Sequence, residues 1–401
     1  KLRQLIYRIS KLKIFDPACG SGNFLIIAYK ELRKLEIKIW QQINELEPQY
    51  SFVFTEVKLS QFYGIELDDF AHEMAILSLW LAEHQMNKIF TDELFDFGRA
   101  KPILPLKAGH ITQGNATRLN WEDACPKNEN SEIYILGNPP YLGQRNQKKE
   151  HKEDMDFAFA GYKNYKNLDY ISIWFLKASK YCDTLKIKFA FVTTNSICQG
   201  VQIEMLWPKI FSFNLEIFFA YKDFKWTNNA KGNAGVTVSI IGLSKPQNKK
   251  KFLFDGNRKI FGENINPYLT IGNSVIISKR GKVLSELPKM EGGNQPREGG
   301  HFILSDEKID FVKKHPEAKV FIRRLIGSNE FLKNIDRWCI WIKENQLKKA
   351  LEINVLKNKI DMVRELRTNG NTLEKNFVKF SYRFIQNKEA NNNQIIIPVV
   401  S

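Results

Sequence analysis

The sequence contains one stretch, Gly137-Asn138-Pro139-Pro140-Tyr141, whose residue types suit the binding of an amino group on a planar ring. The apolar run 133–136 before it is typical of a buried strand in a parallel sheet. Pro139 and Pro140 have no N–H and fixed φ angles, so this segment is rigid and ends the strand. Asn138 and the neighbouring carbonyls then form fixed acceptors past the strand's carboxyl end, where ligands bind in open α/β sheets, and the Tyr141 ring can stack on a base. Asn-Pro and Pro-Pro are also common in ordinary turns. This stretch alone therefore does not distinguish a binding site from a turn, and other parts of the sequence are needed.

A second candidate site follows a predicted strand that ends at Asp16. The sequence there is Asp16-Pro-Ala18-Cys-Gly20-Ser-Gly22-Asn-Phe24, and a helical pattern follows over 25–35. The two glycines allow a tight turn and a close approach of a ligand to the helix N-terminus. The third glycine of the dinucleotide fingerprint and the Gly-Lys-Ser/Thr of the P-loop are both missing, which argues against pyrophosphate and P-loop binding. Asp16 instead suits a ligand that carries an ammonium group.

Two further strand-and-turn units repeat this scheme. The segment 61–68 has Glu66 at its strand end, and an acidic residue there is the usual partner of ribose hydroxyls. A helical insertion over 37–50 explains its distance from the glycine turn. A third unit, 111–116, contains Asn115, which suits an adenine amino group but also an ordinary turn.

The composition points to a polyanionic partner. The 401 residues carry a formal net charge of +16, which favours nucleic acid over a membrane surface, although a generically basic protein would show the same bias. The excess is concentrated at the end of the chain, because residues 276–401 hold 24 Lys and Arg against 15 Asp and Glu. We therefore expect this part to follow a phosphate backbone.

The cysteines and the apolar segments exclude several other classes of protein. Five cysteines without a Cys-x-x-Cys pair indicate neither a disulfide framework nor a zinc site, and they are typical of a cytoplasmic protein. No metal site is predicted. No stretch of about 18 apolar residues is present, so the sequence predicts no membrane span. The chain begins without Met and stops after an apolar segment at 394–401, and we interpret it as part of a longer protein.

The remaining patterns outline two domains. Apolar runs at 187–192, 215–219 and 236–243 predict further strands, and the aromatic-rich stretch 162–181 is predicted to be partly helical core. A loop rich in Gly and Pro at 288–300 is the best candidate for a domain boundary. Residues 343–367 show one long helical pattern with charges on several faces. These charges are compatible with DNA binding and equally with an ordinary face exposed to solvent.

Taken together, four motifs resemble those of S-adenosylmethionine (SAM)-dependent amino-methyltransferases that act on DNA. They are Asp-Pro-Ala-Cys-Gly-Ser-Gly-Asn-Phe (16–24), Gly-Ile-Glu (64–66), Gly-Asn-Ala (114–116) and Asn-Pro-Pro-Tyr (138–141). Their order resembles the gamma arrangement of adenine-N6 enzymes. Several downstream segments are similar to the MmeI-like type IIL (type IIG) restriction–modification enzymes, namely 190–200, 224–232, 236–242, 288–290, 299–300, 327–330 and 337–341.

The resemblance implies a fold and a domain plan. It implies an α/β chain with a Rossmann-like methyltransferase sheet, helices on both faces, and part of an α+β target-recognition domain. Residues 1–13 would end an upstream helical region, 14–275 would form the methyltransferase domain, and 276–401 would form the recognition domain, cut short at its end. No convincing Asp…Glu-x-Lys nuclease constellation is found, because Glu36-Ile-Lys38 lies in a predicted helix and Glu56-Val-Lys58 lacks a partner.

The resemblance also implies a cofactor, a partner and a set of site residues. SAM is the expected cofactor and double-stranded DNA the expected partner. The implied cofactor-binding residues are Asp16, Ala18, Gly20, Gly22, Phe24, Glu66, Leu67, Asn115 and Ala116. The implied catalytic residues are Asn138, Pro139, Pro140 and Tyr141, and the target base would stack on Tyr141 and on Phe224 or Trp226.

The implied reaction is methyl transfer from a sulfonium to the N6 amino group of an adenine that has left the duplex. Acceptors at Asn138 and the Pro139 carbonyl would orient the nitrogen lone pair toward the methyl group, and no cysteine nucleophile is needed. Three alternatives remain open. Cytosine-N4 methylation uses the same acceptors, a protein-glutamine methyltransferase also carries Asn-Pro-Pro-Tyr but does not need the basic final third, and a DNA-binding fragment could have lost catalysis.

Overall fold

The structure is a computed structural model that describes residues 1–48, 51–100, 109–128, 130–226, 236–278, 292–304 and 308–389. The chain divides into two compact units, Lys1–Gly281 and Lys282–Ser401. Three sequence predictions fall partly or wholly outside the described residues. They concern the first part of the 288–300 loop, the Trp226 side chain and the apolar segment 394–401.

A mostly parallel sheet forms the centre of the first unit. In its described part the strands are β1 (Lys13–Asp16), β2 (Val53–Phe54), β3 (Phe62–Glu66), β4 (Gly98–Arg99), β5 (His110–Gln113), β6 (Ile133–Gly137), β7 (Ile187–Thr194), β8 (Glu216–Trp226), β9 (Val236–Ser244), β10 (Lys251–Asp255) and β11 (Arg258–Gly262). Nine of these strands form the sheet in the order β11-β10-β8-β9-β7-β6-β1-β3-β5, and β2 pairs with β4 separately. Strands β5, β3, β1, β6 and β7 are parallel neighbours, whereas β9 is antiparallel to both β7 and β8.

Helices cover both faces of this sheet. They are α1 (Leu2–Ile9), α2 (Asn23–Leu46), α3 (Asp69–Glu93), α4 (Trp121–Ala124), α5 (Lys149–Ala158), α6 (Ser172–Tyr181) and α7 (Gly200–Phe211). Successive strand residues point to opposite faces. Accordingly, Ile14 belongs to the core formed with α1, α2 and α3, while Phe15 belongs to the core formed with α4 to α7. The predicted Rossmann-like arrangement, with helices on both faces, is confirmed.

One prediction about the first helices is wrong. The pattern over 25–35 and residues 37–46 of the second pattern form one continuous helix, α2, rather than a helix followed by an insertion. Neither glycine nor proline occurs between Asn23 and Leu46, and Pro48 follows shortly after the helix ends. Inside the helix, Arg33 and Glu36 are fully buried 3.2 Å apart, and Glu36 also accepts a hydrogen bond from the Thr55 hydroxyl. The helix is therefore tied to the segment that precedes β3.

The second unit is smaller and combines a short antiparallel sheet with helices, as predicted for its α+β class. Its described strands are β12 (Ile303–Leu304), β13 (Ile322–Arg324) and β14 (Trp338–Ile340), in the order β12-β14-β13. Its described helices are α8 (Lys308–Lys314), α9 (Ser328–Lys333), α10 (Leu347–Leu351), α11 (Asn354–Thr368) and α12 (Thr372–Lys375).

The single long helix predicted over 343–367 is interrupted. Ile353 has an extended backbone and packs against the core of this unit, so α10 and α11 are separate helices. Arg367 on α11 is fully buried, and its guanidinium donates to the carbonyls of Phe380 and Arg383 at 2.8 Å each. These bonds attach α11 to the loop after α12. Across both units, no helix in the described ranges has the length and apolar content needed to cross a membrane.

Candidate active site at the carboxyl ends of β1, β3, β5 and β6

The four sequence motifs follow four neighbouring parallel strands. Asp16 ends β1, Glu66 ends β3, Asn115 follows β5, and Asn138 follows β6. Because these strands lie side by side in the order β6-β1-β3-β5, their carboxyl ends meet at one edge of the sheet. Segments far apart in the sequence are therefore brought to a common place.

The turn between β1 and α2 has the glycine geometry that the sequence predicts. Gly20 and Gly22 have φ angles of +54° and +85°, which side chains rarely allow. Glu66 fixes this turn, because its Oε2 accepts the Gly20 N–H at 2.8 Å and its Oε1 accepts the Asp68 N–H at 2.9 Å. Each carboxylate oxygen keeps a further lone pair, so Glu66 can also accept a hydroxyl.

Asp16 is buried, and one of its two carboxylate oxygens has no hydrogen-bond partner among the described residues. Its Oδ1 accepts the Ala18 N–H at 3.0 Å, while its Oδ2 has no partner among the described residues. Burial raises the pKa of Asp16 to about 7, and the charge of Glu66 adds to the effect while the Ala18 N–H opposes it. Buried polar atoms are normally paired, so this oxygen is available to accept a hydrogen bond from a ligand. An ammonium group of a ligand is such a donor.

The catalytic candidate Asn138 presents a second buried acceptor. Its side-chain Oδ1 is buried and has no partner in the described part of the chain. Gly137, directly before it, stands so close to Asp16 that a side chain on Gly137 would collide with the Asp16 carboxylate. The strand end that leads into Asn138 therefore packs directly against Asp16. Pro139 is buried and Tyr141 is half-buried against the core.

Asn115 is held by a network that sequence reasoning missed. Its Oδ1 accepts from the Thr117 N–H and hydroxyl, and its Nδ2 donates to Asp154 on α5. Asp154 also accepts from Arg118 Nε and from the Tyr170 hydroxyl at 2.7 Å each. Burial alone would raise the pKa of Asp154, but these hydrogen bonds outweigh it and lower the pKa. The Asn115 amide is thus fully engaged within the chain, so an adenine partner would have to share or replace these bonds.

The other predicted site residues occupy varied environments. Ala18 and Phe24 are half-buried around the glycine turn, Ala116 is buried, and Leu67 is exposed. Phe224 is half-buried in β8, opposite Val238 of β9. The Trp226 side chain lies outside the described residues, so its predicted stacking role stays a prediction.

Neither the cysteines nor the acidic side chains in the described ranges indicate a thiol nucleophile or a metal site. All five cysteines, at 19, 125, 182, 198 and 339, are buried and unpaired, and burial raises the pKa of every one of these thiols. They therefore stay protonated at neutral pH and are poor nucleophiles. Within the described ranges, no three His, Cys, Asp or Glu side chains cluster as metal ligands would.

Two family models together match nearly the whole chain. Residues 1–255 match the MmeI DNA-methyltransferase domain, and residues 271–401 match the MmeI target recognition domain. The chain is 45% identical to DNA methyltransferase A of Bacillus subtilis (strain 168) over 405 aligned positions, covering 100% of this chain and 46% of that protein. It is 29% identical to the type II restriction enzyme and methyltransferase RM.Eco57I of Escherichia coli over 178 positions, covering 39% of this chain and 17% of that enzyme.

A solved structure supports the same assignment. The type IIL restriction–modification enzyme MmeI, solved in complex with DNA, superposes with a TM-score of 0.82 and 33% identity, covering 97% of this chain and 53% of that one. The chain thus spans about half the length of its B. subtilis relative and of MmeI. The family resemblance in the sequence motifs is confirmed. The chain belongs to the MmeI family of restriction–modification proteins, and it comprises the DNA-methyltransferase domain followed by the target recognition domain.

Proposed function

We propose that this chain transfers a methyl group from SAM to the N6 amino group of an adenine flipped out of double-stranded DNA. One observation carries the proposal. Asp16 Oδ2 and Asn138 Oδ1 are two buried acceptors without partners among the described residues, and they lie on adjacent strand ends. One suits the ammonium group of the cofactor, and the other suits the amino group of the target base.

The residues of the glycine turn fit SAM. The turn from Asp16 to Phe24 would hold the methionine part, with Asp16 accepting from its ammonium group. Glu66 would accept from the ribose hydroxyls, and Leu67, Asn115 and Ala116 would line the adenine. SAM supplies an electrophilic methyl group on a sulfonium. Asp16 and Glu66 therefore bind and orient the donor rather than take part in the bond changes.

The segment after β6 would act on the acceptor nitrogen. The lone pair of an adenine amino group is delocalised into the ring, which makes it a poor nucleophile. Asn138 Oδ1 and the Pro139 carbonyl would accept hydrogen bonds from the two amino hydrogens, favour a tetrahedral nitrogen and direct its lone pair to the methyl group. The N–C bond would form as the C–S bond breaks, the demethylated thioether would leave, and one amino proton would pass to solvent. Tyr141 would stack on one face of the base, and Phe224 or Trp226 on the other.

The second domain would bring DNA to this site. We assign residues 14–275 to methyl transfer and 276–401 to target recognition, with residues 1–13 as a preceding helical segment. The related MmeI was solved with DNA, and residues 276–401 of this chain carry a net positive charge. Lys and Arg contacts to phosphates would position the duplex before the base is read.

The test measures both transfer and the identity of the modified base. Purified chain is incubated with unmethylated genomic DNA and SAM labelled in the methyl group, and the digested nucleosides are separated. We expect labelled N6-methyladenine from the wild type and none from Asn138→Ala. The matched control, Asn146→Ala, removes an exposed Asn of the following turn and should leave transfer unchanged. Label in N4-methylcytosine would contradict the adenine assignment, and near-normal transfer by Asn138→Ala would contradict the role of its amide.

A further inference from the structure

We infer that Asp169 is a positioning residue that holds the Asn138–Tyr141 segment in its reactive geometry. The inference rests on the proposed function, since it assigns the residue that orients the amino-group acceptors. Asp169 lies 27 residues beyond the segment it contacts, just before α6. It lies outside all four motifs read from the sequence.

The contact is made at Leu142, the residue directly after Tyr141. The Leu142 N–H donates to Asp169 Oδ1 at 2.8 Å, and the Leu142 carbonyl accepts from the Tyr170 N–H at 3.1 Å and from Gln147 Nε2 at 3.0 Å. Pro139 and Pro140 have no N–H with which to fix the segment. Leu142 is therefore bonded on both sides of its backbone at the first residue after the candidate catalytic side chains.

Asp169 is itself firmly held. It is buried, its N–H donates to Gln202 Oε1 at 3.0 Å, and the Ile171 N–H donates to its Oδ1 at 3.3 Å. Burial raises the pKa of Asp169, while the N–H groups of Leu142 and Ile171 oppose that shift. A side chain fixed on both its backbone and its carboxylate can transmit a defined position to the segment it bonds.

The same short segment also contacts the chain beside the cofactor motifs. Trp174 Nε1 donates to the carbonyl of Pro17, which follows Asp16 directly, at 3.1 Å. The Tyr170 hydroxyl donates to Asp154, which accepts from Asn115. Residues 169–174 thus contact both sides of the site. The acceptor side is the segment 138–142, which would bind the target base, and the donor side is the turn at Asp16 together with Glu66 and Asn115, which would bind SAM. Methyl transfer needs the two reacting atoms in line and close, and a displacement of about 1 Å can lower the rate roughly 100-fold.

A positioning role and a purely structural role of Asp169 predict different effects of its substitution on stability, SAM affinity and turnover. If Asp169 only stabilises the fold, its loss should lower unfolding stability, SAM affinity and turnover together. If it positions the segment, turnover should fall while SAM affinity stays unchanged, because Asp16 and Glu66 are untouched. The backbone N–H of Leu142 should also exchange with solvent faster, because its acceptor is gone.

The experiment compares Asp169→Ala, Asp169→Asn and the control Asp156→Asn in the whole chain. Asp156 is an exposed carboxylate on α5 that accepts from Tyr165. We measure kcat on unmethylated genomic DNA, SAM affinity by calorimetry, and deuterium exchange of the peptide covering 138–147. We expect Asp169→Ala to lose roughly 100-fold in kcat with unchanged SAM affinity and faster exchange at Leu142. Asp169→Asn keeps an oxygen acceptor and should recover most of the kcat.

Three outcomes would overturn the inference. They are an unchanged kcat in Asp169→Ala, unchanged protection at Leu142, or a parallel loss of stability, SAM affinity and kcat. A wild-type chain that transfers no methyl group to DNA would instead refute the proposed function. In that case, deuterium exchange at Leu142 still decides whether Asp169 holds the segment.

Discussion

Replacing Asp16 by asparagine should make the ligand-free chain more stable and weaken its binding of SAM. Burial raises the pKa of this carboxyl from 3.8 to about 7. Above that pH the folded chain contains an ionised, buried carboxylate whose Oδ2 has no partner among the described residues. Asparagine has nearly the same shape, keeps an oxygen to accept the Ala18 N–H, and carries no charge.

The size and sign of the effect follow from the pKa shift. One pKa unit corresponds to about 1.4 kcal/mol, so a shift from 3.8 to about 7 limits the gain in unfolding free energy to about 4 kcal/mol. Between pH 4 and pH 7 the folded chain retains a proton on Asp16 that the unfolded chain has released. The advantage of asparagine should therefore fall by about 1.4 kcal/mol per unit as the pH drops below 7, and vanish near pH 4.

The same substitution should lower the affinity for SAM while it raises the stability of the ligand-free chain. A hydrogen bond to a charged group contributes about 1.5–3 kcal/mol, so loss of the carboxylate should weaken SAM binding about 10- to 100-fold. The wild type should also bind SAM roughly four- to sevenfold more weakly at pH 6 than at pH 7.4, because only about a tenth of Asp16 is ionised at pH 6. This pH dependence should disappear in Asp16→Asn.

Urea unfolding at pH 8, 6 and 4.5 and calorimetry with SAM would measure both effects. Asp92→Asn, an exposed position on α3, is the matched control and should change neither quantity. Equal stability of wild type and Asp16→Asn at pH 8 would refute the claim that burial destabilises the carboxylate. Unchanged SAM affinity would remove Asp16 from the cofactor site.

Three further predictions concern the cofactor turn, the target base and DNA. Glu66→Ala should weaken SAM binding by about 1.5–3 kcal/mol in calorimetry, because Glu66 also fixes Gly20; an unchanged affinity would contradict this. Tyr141→Phe should keep normal KM for DNA, whereas Tyr141→Ala should lose about 1–3 kcal/mol of base stacking; equal KM values would exclude the stacking role. If Lys and Arg side chains within 276–401 contact phosphates, as proposed, DNA affinity should fall at least about tenfold between 50 and 200 mM salt; a flat salt response would argue against that role.

The sequence was informative wherever a local pattern decides the structure. The apolar run before Asn138 and the glycines at 20 and 22 predicted a strand end and a turn, and both are present. These features depend on neighbours in the sequence. A strand followed by Pro-Pro has few alternatives, and a glycine turn before an apolar helix is similarly restricted.

The sequence was less informative where distant segments meet. The strands predicted at 215–219 and 236–243 are present as parts of β8 and β9. The sequence did not predict that β9 would lie antiparallel between β7 and β8. Asp154 and Asp169 were missed as well, because Asn115 and Leu142, the site residues that they bond, lie 39 and 27 residues away and neither carboxylate forms part of a motif. The available signal was weak. Asp169 directly precedes the aromatic, apolar segment 170–175, and a carboxylate there needs donors once that segment is buried.

The donor side and the acceptor side of the candidate site are fixed by different contacts, so substitutions on the two sides should affect different kinetic and binding parameters. The donor side depends on a turn that Glu66 bonds directly, so a ligand that approaches Glu66 also acts on the backbone of that turn. The acceptor side has two prolines and a bonded Leu142, so its geometry is set before a base arrives. Gly137 joins the halves, because no larger residue fits against Asp16. Substitutions around Asp16 and Glu66 should therefore appear mainly in SAM affinity. Those around Asn138 should appear mainly in kcat, except that loss of the Tyr141 ring should also raise KM for DNA.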